Sequence, residues 1–380
     1  MALIRVGLIG LSAKSKSGWA AKAHLPYLLS PRGQQRYQIV AVLGSTAERA
    51  RESVEYFSLP NPDSIRTYGA PEELALDPNV DLVVCSVWVD KHYDTVRPSV
   101  AAGKDVIVEW PLAENALRAR ELTELSRKAG GRTAVVNQAR LAPYVVKLKE
   151  LLTEGTIGKV INSQVNSNAT REGEDVLYPG LESLSNSKSG ANFFAIGFGH
   201  TWDPIQYVLG DAENVHAMMQ IQNPKIKLLD RPGGELVGEL PTDSPDLVVV
   251  TASLPESSFT RNDAKLVTMW RVGAVFPDPK QPSFVWTIRG EKGSLRFTYE
   301  GRHLNQGDST LIEWHDQASG ETRPVEWQWQ EWQAELPGPA RCVAALYEAF
   351  ADGDESKYVT FDTALRRHEQ LESMREKFLN

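Results

Sequence analysis

Glycine and serine residues follow the first apolar run of the chain, where a dinucleotide phosphate could bind. Gly10, Leu11 and Ser12 come directly after this run, and Gly18 follows a polar stretch over 12–17. Backbone N–H groups at the start of a helix bind pyrophosphate, and glycine lets the phosphate approach the backbone closely. Ser12 stands where the usual fingerprint has a second glycine, so the motif by itself fits an ordinary surface turn equally well.

The end of the second apolar run indicates which nicotinamide dinucleotide would bind. A carboxylate at this point holds the ribose hydroxyls and repels a 2′-phosphate. This chain has Ser45 and Thr46 there instead, with Arg49 one helical turn later. Ser45 can donate to a phosphate and Arg49 can pair with it, which predicts NADP(H) in preference to NAD(H) and leaves NAD(H) open. The alternative is a solvated helix start capped by Ser45 or Thr46.

These residues need a sheet edge to bring them together, and the pattern over residues 1–140 predicts one. Apolar runs of strand length alternate with segments of helical spacing. The predicted strands are 3–11, 38–43, 81–87, 105–108 and 133–136, and the predicted helices are 18–29, 47–56, 71–76, 93–102 and 112–129. Such alternation predicts an α/β doubly wound parallel sheet, which binds ligands at the carboxyl ends of its strands.

The remainder of the chain, residues 141–380, has a different pattern. After a helix at 143–154, strand-like runs often alternate polar and apolar residues, as an antiparallel sheet with one solvated face does. The runs are 160–168, 214–221, 247–254, 266–275, 284–289, 293–300 and 310–315, with loops at 169–191 and 223–246 and closing helices at 339–350 and 361–378. We therefore predict a second, α+β domain with a large, mainly antiparallel open sheet. The final helices can pack back on the first domain.

Composition excludes several functional classes. The chain has 42% hydrophobic and 24% charged residues and a formal charge of −8, which argues against binding to a nucleic-acid backbone. Cys85 and Cys342 lie far apart, so neither a disulfide framework nor a metal site is expected. No apolar stretch reaches the ~20 residues of a membrane span, and the chain runs from Met1 straight into a strand pattern. A cytoplasmic protein is the expectation.

A series of motifs resembles the glucose–fructose oxidoreductase/inositol dehydrogenase (Gfo/Idh/MocA) family. They occur along the chain in the family's order, at 83–87, His92, 101–111 (AAGKDVIVEWP), 137–140 (NQAR), 152–160 (LTEGTIGKV), 199–203 (GHTWD) and 288–295 (IRGEKGSL). The resemblance implies an N-terminal Rossmann domain over 1–140 and a C-terminal open-sheet domain over 141–380. It also implies a small-molecule substrate and a homodimer formed through the exposed face of the sheet.

Two departures from the family pattern affect the chemistry. The family has Glu-Lys-Pro where this chain has Glu109-Trp110-Pro111, and an acid where it has Ile196. The family lysine positions the substrate and handles a proton, which an indole cannot do. Of the three usual polar groups, only His200 remains.

These departures, together with motifs such as Gly18-Trp19-Ala20 and Phe198-Gly199-His200-Thr201, are similar to the fungal galactose-pathway repressor. That repressor is a non-enzymatic member that binds a dinucleotide and grips a transcriptional activator. Two leading functions therefore stay open, beside a third in which a non-redox enzyme uses the bound cofactor structurally. One is an NADP-dependent oxidoreductase acting on a small polyol, sugar-like or carbonyl metabolite. The other is a regulatory dinucleotide-binding protein with a protein partner and access to the nucleus.

His200 is the predicted proton donor or acceptor, because imidazole titrates near neutral pH, and Tyr144 is a second candidate donor. The alternative for His200 is a helix-initial histidine satisfied by backbone groups. Trp110 could form an aromatic wall beside the nicotinamide, or simply belong to the core. The residues predicted to contact the cofactor are Gly10, Leu11, Ser12, Trp19, Ser45, Arg49, Ser86, Val87, His92, Glu109, Trp110 and Arg140.

Overall fold

A computed structural model describes residues 2–14, 18–169, 176–273, 282–300 and 310–379. It divides into two compact units, Met1–Gln138 with Gln330–Glu369, and Ala139–Trp329 with Gln370–Asn380. Parts of three predicted segments lie outside the described residues. They are 15–17 of the polar stretch 12–17, 170–175 of the loop 169–191 and 274–275 of the strand 266–275. No helix in the described ranges is both long and apolar enough to cross a membrane.

The first unit is built on a parallel sheet. Its strands are β1 (Ile4–Ile9), β2 (Tyr37–Leu43), β3 (Arg66–Tyr68), β4 (Leu82–Cys85), β5 (Asp105–Glu109) and β6 (Thr133–Val136). Within the described residues these strands form one six-stranded sheet in the order β3-β2-β1-β4-β5-β6. All four residues of β4 are buried, because helices cover both faces of such a sheet. This order is the doubly wound one, and it confirms the predicted fold class.

Numbered along the whole chain, the helices are α1 (Leu25–Leu28), α2 (Ala47–Tyr56), α3 (Pro71–Leu76), α4 (Val89–Ala101), α5 (Ala116–Ala129), α6 (Pro143–Thr153), α7 (Gly199–Leu209), α8 (Glu331–Ala334), α9 (Gly338–Asp352) and α10 (Phe361–Leu379). The predicted helix 112–129 was too long at its start. It begins at Ala116 because the side chain of Asn115 accepts a hydrogen bond from the Arg118 N–H at 2.9 Å. The predicted helix 18–29 is two short helical segments, Ala20–His24 and α1.

The second unit contains a large mixed sheet. Its strands are β7 (Val160–Asn168), β9 (Glu213–Gln220), β12 (Leu247–Ser253), β13 (Thr260–Arg271), β14 (Phe284–Gly290), β15 (Gly293–Tyr299), β16 (Thr310–Asp316) and β17 (Thr322–Pro324). Across the described part of this unit they lie in the order β17-β16-β15-β14-β7-β13-β12-β9. Only β7 and β13 pair in parallel there, and the other neighbours are antiparallel. The predicted, mainly antiparallel sheet is confirmed.

A smaller sheet was missed from the sequence. It consists of β8 (Val176–Leu177), β10 (Lys225–Leu229) and β11 (Leu236–Pro241), in the order β11-β10-β8. The predicted loop 223–246 therefore contains an antiparallel hairpin. Of the residues in β10 and β11, Ile226 alone is buried, so the two strands lack the regular alternation of a sheet with one covered face.

Candidate functional site

Gly10 lies at the end of β1, against the end of β4. Its φ is +92°, and a Cβ atom placed on it would come within 2.2 Å of the Ser86 carbonyl oxygen. The Ser86 N–H also donates to the Ile9 carbonyl oxygen at 3.0 Å, which joins the two strand ends. Glycine is thus required at position 10 both by the backbone conformation and by the space available. A backbone exposed by glycine at the start of a βα connection is the cradle that a pyrophosphate needs.

Ser86 supports the same interpretation. It is 9% exposed, and within the described chain its Oγ has no hydrogen-bond partner. A buried hydroxyl without a partner is uncommon and points to a bound water or ligand. The residues at this edge therefore fit the dinucleotide that the sequence predicted.

The other residues of the first loop take different positions. Leu11 is buried and Trp19 is half-buried, whereas Ser12 is exposed. The Ser12 hydroxyl accepts a hydrogen bond from the Lys14 N–H at 3.2 Å, so it supports the loop backbone. Val87, which follows Ser86, is half-buried.

At the end of β2, Ser45 and Arg49 are both exposed. The Thr46 hydroxyl accepts the Arg49 N–H at 3.2 Å and is the N-cap of α2, one of the two caps that the sequence left open. Ser45 is therefore not needed as a cap. The Arg49 guanidinium pairs with Glu52 at 2.9 Å, and both side chains are about half-exposed. A pair of this kind is weak, so a phosphate can compete with Glu52 for the guanidinium.

His92 connects the loops that follow β4 and β5. Its Nε2 lies 3.1 Å from the Val87 carbonyl oxygen and its Nδ1 lies 2.9 Å from the Pro111 carbonyl oxygen. The ring is 1% exposed, and its burial lowers the pKa of His92. A neutral ring carries a single N–H, so His92 donates to one of these two carbonyl oxygens while it packs between the two strand ends.

Glu109, the last residue of β5, is held by a buried network. Its Oε1 lies 2.7 Å from His24 Nε2, and Gln138 Nε2 donates to its Oε2 at 3.4 Å. On the other side of the ring, the Tyr347 hydroxyl lies 2.8 Å from His24 Nδ1. Burial raises the pKa of Tyr347 well above its usual value, so the hydroxyl keeps its proton and can donate to Nδ1. With Nδ1 accepting from this hydroxyl, the Nε2–H of His24 donates to the Glu109 carboxylate.

This network joins residues that are distant in the sequence and was not predicted. His24 and Tyr347 are 323 positions apart, and Glu109 lies 85 positions from His24. Neither separation leaves a local pattern in the sequence.

The Trp110 side chain is buried and packs against another ring. It is 5% exposed, and its ring centroid lies 5.0 Å from that of His368, with 40° between the ring planes. The peptide bond from Trp110 to Pro111 is cis. The alternative of a core tryptophan describes these surroundings better than an aromatic wall does.

In the second unit, His200 is the second residue of α7 and is half-buried. Asp203 and Tyr207 follow it at helical spacings of three and seven residues, so the three side chains share a face of the helix. Arg140 contacts this face with a two-pronged ion pair. Its Nε lies 3.0 Å from Asp203 Oδ2 and its Nη2 lies 2.7 Å from Oδ1.

The Arg140–Asp203 pair is buried, since the two residues are 6% and 0% exposed. The Arg140 guanidinium also lies 4.9 Å from the centre of the Tyr207 ring. Arg140, predicted as a cofactor contact, is thus engaged with the helix that carries His200. Its contact with the cofactor stays a prediction.

Tyr144, the second candidate proton donor, is 0% exposed. Its ring packs against Phe297 of β15 at 5.6 Å and against Trp327 at 5.0 Å, which fixes the start of α6 on the sheet. The surroundings of Tyr144 are those of a core residue, and its part in proton transfer stays a prediction.

No group of three or more histidine, cysteine, aspartate or glutamate side chains could hold a metal ion in the described ranges.

Comparisons with known proteins give a consistent picture. Residues 4–137 match the model of the oxidoreductase family with an NAD-binding Rossmann fold, and residues 143–299 match that of the Gal80p C-terminal domain. The dehydrogenase aclE of Aspergillus oryzae is 30% identical over 372 residues, covering 98% of this chain and 95% of that protein.

The galactose/lactose metabolism regulatory protein GAL80 of Kluyveromyces lactis is also similar. It is 30% identical over 318 residues, covering 82% of this chain and 65% of that protein's length. Among solved structures, a super-repressor mutant of Gal80p from Saccharomyces cerevisiae superposes with a TM-score of 0.85 at 21% identity, covering 100% of this chain and 96% of that one. This likeness shows the fold.

Both halves of the chain and a relative matched along nearly its whole length lead to one conclusion. The chain belongs to the oxidoreductase family with an NAD-binding Rossmann fold, the Gfo/Idh/MocA family, in the branch whose C-terminal domain is of the Gal80p type.

Proposed function

We propose that this protein is an NAD(P)-dependent oxidoreductase that acts on a small polyol, sugar-like or carbonyl metabolite. The observation that carries the proposal is the close approach of Gly10 to the Ser86 carbonyl oxygen, which only glycine allows, at the turn after β1 where a doubly wound sheet binds a dinucleotide. The Aspergillus oryzae relative, which is named a dehydrogenase and matches nearly the whole of both chains, supports it.

The bound nicotinamide would supply the redox chemistry by accepting a hydride from a substrate carbon or returning one. The hydroxyl group on that substrate carbon would lose its proton to His200, because an imidazole nitrogen can accept a proton near neutral pH. Arg140 and Asp203 hold the helix that carries His200 through their buried ion pair. The Ser45 hydroxyl and the Arg49 guanidinium would bind the 2′-phosphate of NADP(H), since no acidic residue stands directly after β2, at positions 44–47.

A second candidate is a regulatory protein that binds a dinucleotide and a protein partner. It is favoured by Trp110, a buried indole where the family pattern has a lysine, because the ammonium group for substrate and proton handling is missing. The Kluyveromyces lactis relative is a regulatory protein. In this case we expect access to the nucleus. For the oxidoreductase we expect a cytoplasmic homodimer.

The first test is a titration with NADPH and with NADH, followed by the quenching of tryptophan fluorescence. We expect NADPH to bind more tightly. Polyols, aldoses and small carbonyl compounds are then screened for dinucleotide turnover by the wild type, His200→Ala and His315→Ala. His315 is an exposed histidine on β16 and serves as the matched control.

We expect His200→Ala to lower turnover by about 10²–10⁴-fold with dinucleotide binding retained, and His315→Ala to match the wild type. Tight dinucleotide binding without turnover of any compound would favour the regulatory candidate. Absence of binding by both dinucleotides at millimolar concentration would contradict both candidates.

A further inference from the structure

The strand order of the first unit indicates where each half of a dinucleotide would lie. In a sheet of this order, the dinucleotide spans the point where the strand order reverses, between β1 and β4. Residues at the end of β2 would contact the adenosine ribose. The nicotinamide half would then lie over the ends of β4 and β5. Ser86 and Trp110 follow these two strands directly.

His368, which is close to the end of the sequence, lies beside Trp110 at this edge of the sheet. It belongs to α10, within the first unit, and it is 8% exposed. Its ring lies against the Trp110 indole, with 5.0 Å between the centroids. The part of the chain that the structure describes offers no hydrogen-bond partner to His368 Nε2.

Burial, with a smaller contribution from the nearby His92, lowers the pKa of His368 to about 3. The ring is therefore neutral at physiological pH. A neutral imidazole nitrogen is either a donor or an acceptor, according to the tautomer. An anionic ligand gains no ion pair from such a group, whereas a neutral amide can satisfy it in either tautomer, because a carboxamide carries both a carbonyl oxygen and an NH₂ group.

Two buried polar atoms without partners thus lie in the neighbourhood of adjacent strand ends, Ser86 Oγ at β4 and His368 Nε2 beside the residue after β5. Unpaired buried polar atoms are costly in a folded protein, and they are rare where no ligand or water satisfies them. A neutral, planar carboxamide bound at this edge would supply a partner for such an atom.

We propose that His368 is a dinucleotide-binding residue whose Nε2 hydrogen-bonds to the nicotinamide carboxamide beside Trp110. A histidine from the last helix thereby supplies a neutral polar contact next to the position where the family pattern has a charged lysine. This inference rests on the proposed binding of a nicotinamide dinucleotide.

The test compares two ligands that share the adenosine half. NADPH carries the nicotinamide, and 2′-phospho-ADP-ribose lacks it; NADH and ADP-ribose replace this pair if the wild type prefers NADH. Affinities are measured calorimetrically for the wild type, His368→Phe and His368→Gln, with His315→Phe as the matched control in the second unit. Phenylalanine keeps the packing against Trp110, and glutamine keeps an amide near the position of Nε2.

We expect His368→Phe to weaken NADPH about tenfold and to leave 2′-phospho-ADP-ribose within about twofold of the wild type. His368→Gln should recover most of the NADPH affinity. Without ligand, His368→Phe should melt at the same temperature as the wild type or higher, because it removes an unpaired buried atom. His315→Phe should bind both ligands as the wild type does.

Equal weakening of both ligands, or unchanged binding of both, would overturn the role of His368 while leaving the proposed function standing. A lower melting temperature of ligand-free His368→Phe, with NADPH affinity unchanged, would show a structural histidine and refute the inference too. If the wild type binds neither dinucleotide, the proposed function and this inference both fail.

Discussion

Replacing Gly10 by alanine tests whether the contact between β1 and β4 holds the dinucleotide. Two separate costs apply at this position. An alanine at a φ of +92° enters the left-handed region, which costs about 1–2 kcal/mol. Its Cβ would also come within 2.2 Å of the Ser86 carbonyl oxygen, a separation that real Cβ atoms essentially never show.

The second cost can be isolated with a matched control. Gly130, which ends α5, has a φ of +84°, and a Cβ atom there would meet nothing within 4 Å. Gly130→Ala therefore carries the backbone cost alone, about 1–2 kcal/mol. Gly10→Ala adds the crowding of two strand ends, typically about 1–3 kcal/mol, so its total loss should be about 2–5 kcal/mol.

The assays are urea denaturation for the free energy of unfolding and NADPH titration for affinity. Because separating β1 from β4 displaces the loop that would cradle the pyrophosphate, Gly10→Ala should weaken NADPH at least about tenfold, with Gly130→Ala close to the wild type. Equal stability losses for the two variants, together with unchanged NADPH binding, would refute the reasoning about this contact.

Three further predictions concern buried side chains. Asp203→Ala removes the carboxylate that pairs with the buried Arg140 guanidinium, so urea denaturation should show a loss of about 3–5 kcal/mol, and a loss below about 1 kcal/mol would contradict a tightly coupled pair. The pKa of His368 is about 3 in the folded chain against an ordinary 6.5, so the unfolded chain binds the proton first as the pH falls. The wild type should therefore lose stability relative to His368→Phe between about pH 7 and pH 4, by at most about 1.4 kcal/mol per pH unit, and a pH-independent difference in melting temperature would be inconsistent with this. Trp110→Lys buries an ammonium in an apolar position and should cost about 3 kcal/mol or more in unfolding free energy; near wild-type stability would mean that the site is open to water.

Most elements of the fold were predicted from local periodicity in the sequence. The bounds predicted for β6, β7 and α2 match the structure, because a continuously buried strand, a strand with alternating burial and an amphipathic helix each leave a local pattern in the sequence. The hairpin of β10 and β11 was not predicted, since its residues are mostly exposed and buried and exposed positions alternate only weakly. The start of α5 was misplaced because Asn115, not the first apolar residue, decides where the helix begins.

The sequence by itself also determined that Gly10 stands at the end of a buried strand and that Trp110 replaces a lysine of the family pattern. The partners of these residues were decided by the tertiary structure. Gly10 meets the Ser86 carbonyl, Trp110 meets His368, and Glu109 is bound by His24. The physical reason is that periodicity records only whether a residue is buried, whereas each of these contacts depends on which distant elements the sheet and its covering helices bring to the same edge.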